Sequence, residues 1–134
     1  MTSPSLELQG AIVARLKQDP AVTALVGDRI YDDVPGTAVF PYVSLGPSAE
    51  LSDDVDCIVG FEITFQIDAW SRAVGSPEVR RVADAVRRAL TGADITLADN
   101  ALLSFEHRQT RVMRDPDGLT SHAAIAFEGF AEQP

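Results

Sequence analysis

The chain has 134 residues, 46% of them hydrophobic and 23% charged, which is the size and composition of one globular domain spanning 1–134 and excludes two. Twenty Asp and Glu against eleven Lys and Arg give a net charge of −9, which excludes tight wrapping of nucleic acid, since that needs a basic face to release phosphate counterions. The single cysteine, Cys57, excludes a disulfide framework and reads as a reduced cytosolic thiol; the start of the chain has no secretory pattern, and no apolar run approaches the ~18 to 20 residues of a bilayer span.

Ser3 is placed to cap a first helix and Pro4 suits its first position, after which Leu8, Ile12 and Leu16 recur every four residues. Asp19-Pro20 repeats that grammar for a short second helix with Val22, Leu25 and Val26 on one face, stopped by Gly27. Short strands are expected at Arg29 to Tyr31 and at Pro41 to Leu45, joined by a loop containing Pro35-Gly36. Gly46 to Asp56 has no periodicity and carries Glu50, Asp53, Asp54 and Asp56. It is expected to be an exposed, mobile loop that orders on assembly. Ile58 to Trp70 alternates cleanly, with Phe61, Ile63, Phe65, Ile67 and Ala69 facing a core. A helix opens at Ser76-Pro77-Glu78, runs on the stripe Val79, Val82, Ala83, Val86 and Leu90, and ends near Thr91-Gly92.

The last third predicts a hairpin. Pro116 and Asp117 suit a type I turn and Gly118 the left-handed residue after it, so a three-residue loop would set Asp115 opposite Leu119. That register puts Leu103, Phe105 and Met113 on one face with Leu119, Ala123, Ile125 and Phe127, and Glu106, Arg108 and Thr110 on the other with His122 and Glu128. His107, Gln109 and Arg111 interrupt the apolar face, which suits a bulge or a polar edge. The whole predicts an α+β fold: a mostly antiparallel β-sheet with two main α-helices packed on one face.

No constellation for catalysis, a cofactor or a metal emerges. His107 and His122 fall on opposite faces of the hairpin and cannot share an ion. Cys57, between Asp56 and Ile58, lacks the base or positive surroundings of a reactive thiol and reads as small and half-buried. Asp32-Asp33 and Asp53 to Asp56 lack the ligand spacing of a calcium loop. Arg80, Arg81, Arg87 and Arg88 lie opposite their helix's apolar stripe, with Asp84 four residues after Arg80 and able to pair with it. This face is either simply solvated or meets an acidic surface of another subunit or partner. Trp70, followed closely by Arg72, either packs under the Val74-Gly75 loop or anchors a contact.

The ordered series Asp19-Pro20-Ala21-Val22 through Gly27-Asp28-Arg29-Ile30-Tyr31, Val34-Pro35, Phe40 to Gly46, Gln66 to Ser71 and the Arg114-Asp115-Pro116-Asp117-Gly118 hairpin closing on Ala126-Phe127-Glu128 resembles the tail-completion, or tail-terminator, family of head-tail joining proteins in tailed phages, prophages and gene transfer agents. The resemblance spans nearly the whole chain. It implies a non-enzymatic virion protein, assembled in the bacterial cytoplasm, that forms a ring, expected to be a hexamer, at the head-proximal end of a tail. Its implied partners are further copies of itself, the tail tube protein and the head-tail connector or stopper. DNA would pass through the lumen without sequence-specific binding, and no membrane is involved. Six copies would carry −54 in all, and acid facing the lumen would keep DNA from sticking. The residues leave open a second reading, a monomeric cytosolic acidic domain that binds or regulates a basic partner. A third, an enzyme, lacks its constellation.

Overall fold

The computed structural model describes residues 2–91 and 95–134. Helix α1, Pro4–Gln18, starts where the Ser3 hydroxyl accepts the Leu6 N–H, and its every-fourth residues Leu8, Ile12 and Leu16 are fully buried. The Asp19 carboxylate then accepts the N–H groups of Ala21 and Val22 and starts α2, Pro20–Val26. Gly27 ends it at φ 61°, a conformation that favours glycine. Helix α3, Pro77–Leu90, buries the expected stripe together with Ala85 and Ala89. Its predicted stop reaches Gly92, which lies outside the described residues.

Among the described residues, five strands form one sheet in the order β1-β2-β3-β5-β4: β1 Ile30–Tyr31, β2 Tyr42–Ser52, β3 Val59–Ser71, β4 Ala101–Arg114 and β5 Ser121–Gln133. Of these strands, the two-residue β1 runs parallel to its neighbour and the rest pair antiparallel. Helices α1, α2 and α3 bury their apolar stripes with Ile63, Phe65, Ile67, Ala69, Ala123, Ile125 and Phe127 of one sheet face in one apolar core. The opposite face of the sheet is open. This is the α+β arrangement that the patterning predicts.

Two expectations fail, each for a local reason. Gly46 to Asp56 is not a loop, since β2 continues to Ser52. An extra residue in β2 between Leu45 and Ser48 makes a bulge, after which Ser48, Glu50 and Ser52 take the helix side. The bulge inverts the polar alternation, so the segment reads as aperiodic. The irregular part is only the turn after it, with Asp56 at φ 54° and Val55 bridged to Ile58.

The β4–β5 turn is one residue longer than predicted. The Asp117 carboxylate accepts the N–H groups of Leu119 and Thr120, both at 2.9 Å, and the Thr120 hydroxyl at 2.8 Å. This pulls Thr120 back to accept the Asp115 N–H at 2.8 Å and sets Met113 opposite His122. A bulge between His107 and Gln109, at the polar interruption, then restores the expected pairing, with Phe105 stacked 5.1 Å from Phe127 and Glu106 opposite Glu128. A second bulge at Leu103 leaves that residue, like Leu119 in the turn, exposed rather than in the core.

Candidate functional site

On the open face, alternate residues of β2, β3 and β5 line up across the sheet, and there Trp70 is clamped. Its indole N–H donates to the Ser44 hydroxyl at 2.9 Å, and His122 stacks on it at 3.9 Å between ring centres, 9° from parallel. Tyr42 lies 6.3 Å to the other side and Phe40 5.0 Å beyond Tyr42. Behind the stack, buried Asp68 accepts His122 Nε2 at 2.6 Å and Gln66 Nε2 at 2.8 Å. Trp70 therefore does not pack under the Val74-Gly75 loop; Val74 is fully exposed. Arg72 sets its guanidinium 4.6 Å over the Phe40 ring, donates to the Thr120 hydroxyl at 3.2 Å and lies 3.9 Å from Asp117. It ties the end of β3 to the hairpin turn. Ser44, Asp68 and His122 were not among the expected site residues, although Ser44, Asp68 and Trp70 share one parity in their strands.

The arginines of α3 differ from one another. Asp84 pairs with Arg87 at 2.8 Å and Arg88 at 2.9 Å, not with Arg80, which donates instead to the Ser76 hydroxyl at 3.0 Å. An acid ahead of its base along a helix is the better-oriented pair. The Arg87 hydrogen bond outweighs desolvation and holds the Asp84 carboxyl below its ordinary value. Arg80 and Arg87 line a groove beside edge strand β4 with His107, Thr110 and Val112. Burial, reinforced by the Arg87 charge, pushes the His107 imidazole below its ordinary value. Arg81 is exposed and has no ion partner among the described residues.

The four acids expected on the assembly loop also separate. Glu50 sits on β2 and accepts the Ser5 N–H at 2.9 Å and the Ser3 hydroxyl at 3.1 Å, so it fixes the start of α1; the Ser5 side chain, with these two bonds, lowers its pKa against desolvation. Asp54 accepts the Gly60 N–H at 3.1 Å. The side chains of Asp53 and Asp56 are exposed and hold no ion partner among the described residues. Cys57 is exposed at the turn rather than half-buried, because Val55 and Ile58 bridge beneath it. The two histidines do face opposite ways, His107 edge-on to Phe127 under the helices and His122 on the open face. Among the described residues, no three His, Cys, Asp or Glu converge as a metal site requires, and no described helix is long and apolar enough to cross a membrane.

The arrangement offers anchored aromatics, separated charges and open sheet edges, which are the means of assembly. Among curated proteins none matches this chain significantly. Among solved structures, the chain is similar to one from the virion of a native gene transfer agent particle, with TM-score 0.91 and 28% identity over 98% of this chain and 99% of that one. It shares its fold with the gp17 protein of bacteriophage SPP1, with TM-score 0.64 and 21% identity over 93% and 88%. The family model described as tail completion protein gp17 matches residues 10–131, and the chain belongs to that family of non-enzymatic phage tail proteins.

Proposed function

We propose that this chain is the subunit of a terminator ring, six copies closing the head-proximal end of a phage-like tail and joining the tube to the head connector, with DNA crossing the lumen. The observation that carries the reading is the end-to-end likeness to a gene transfer agent virion chain, 28% identical over 98% of this chain. Supporting it, β4 is a 14-residue edge strand with no partner on its outer side among the described residues, which suits neighbour contacts better than an isolated monomer. The net charge of −9 per copy suits a passage through which DNA slides without binding. Deleting the gene for this chain in its producing particle tests the reading. Tails of uncontrolled length, or heads without tails, are expected; normal joined particles would overturn it.

A further inference from the structure

We propose that neighbouring copies meet head to tail: the β4/α3 end of one copy seats on the β1/β2 end of the next, strand edge against strand edge and base against acid. The proposal rests on the ring reading and specifies its interface.

Three independent observations carry it. The first is charge placement. Strand β4 and the α3 side chains beside it, Arg80, Asp84 and Arg87, hold five bases against two acids, whereas residues 27–58, which build β1 and β2, hold seven acids against one base. The two ends of the sheet are therefore of opposite sign. The second is that these charges are largely unspent. Arg80, Arg111 and Arg114 at the β4 end have no ion partner among the described residues, and neither do Asp28, Asp32, Asp33, Asp53, Asp54 and Asp56 around the β1 and β2 ends. The ion pairs within the copy at the β4 end use Arg87, Arg88 and Arg108, and leave these three arginines free among the described residues.

The third is strand direction. Both β4 and β3 run antiparallel to β5, and β2 runs antiparallel to β3, so β4 and β2 point in opposite directions. A second copy placed beside the first in the same orientation therefore brings β2 antiparallel to β4 and continues the sheet. On the receiving side β1 covers only Val43 and Ser44, leaving the outer edge of Ser48 to Ser52 without a strand partner among the described residues. Each copy has one end of each kind, so the contact is heterologous and closes only as a ring. The occupant that matches both ends at once is a second copy of this chain.

Charge exchange tests this against plain net-charge repulsion. Variant A carries Arg80→Glu, Arg111→Glu and Arg114→Glu; variant B carries Asp28→Lys, Asp33→Lys and Asp53→Lys. Each alone should lose about tenfold or more in assembly at low salt, as several weak pairs turn repulsive. An equimolar mixture should recover rings in which A and B alternate, and the chain with all six changes, whose net charge equals that of the native chain, should assemble by itself. Unfolding midpoints close to the native value establish that A and B fold. If B assembles better than the native chain, only net charge matters and the interface is wrong. The same holds if the mixture fails while the native chain forms rings. A native chain that forms no ring with the tail tube protein overturns the ring reading itself.

Discussion

The glycine at position 46 lets a buried carboxylate stand behind the aromatic stack. A Cβ there would lie 2.5 Å from Asp68 Oδ2 and 3.1 Å from the Gln66 carbonyl oxygen. The carboxylate cannot retreat, because His122 and Gln66 hold it and it is only 6% exposed. Gly46→Ala should destabilise the fold by about 1 to 3 kcal/mol as the bulge or the Asp68 pair gives way. Urea unfolding measures this, and an unchanged midpoint would show that the strand adapts freely. At this scale the sequence marks Trp70 but not what holds it. Asp68 and His122 are 54 residues apart, and the alternation of β3 shows only that Asp68 is off the core face. That it is buried follows from which strand lies alongside, which no local pattern reveals.

Elements were legible wherever one face meets the core. The four-residue spacing of Leu8, Ile12 and Leu16, the α3 stripe and the alternation of β3 all match burial, because each is a local consequence of one buried face. Legibility fails where the chain inserts a residue. The bulge after Leu45 hides the second half of β2, and the Asp117 carboxylate lengthens a turn whose Pro116-Asp117-Gly118 sequence suits a shorter loop. Bonds to Thr120 and Leu119 hold the Asp117 carboxyl below its ordinary value. Asp117→Ala should therefore free the Leu119 and Thr120 amides to exchange faster and lower the thermal midpoint, whereas Asp117→Asn, which keeps an acceptor oxygen, should fall between Ala and the native chain. Equal exchange in all three would assign the loop length to the backbone alone.

For the whole molecule, the proposed interface uses opposite charge at the two ends of an open sheet to let a net −9 copy bind its like. The arginines of α3 were legible as a basic patch. That Arg80 and Arg87 share a groove with β4 was not, since it depends on which strand lies along that flank of the helix. Contacts of this kind are screened by salt, over a Debye length of about 8 Å at 0.15 M, so ring formation should weaken as salt rises, while the paired strand edges keep part of the affinity. The most direct measurement is an image reconstruction of tails assembled with this chain. The account predicts one ring at a single end of each tube, β4 of every copy lying beside β2 of the next. Finding the chain along the length of the tube, or missing from its ends, would contradict it.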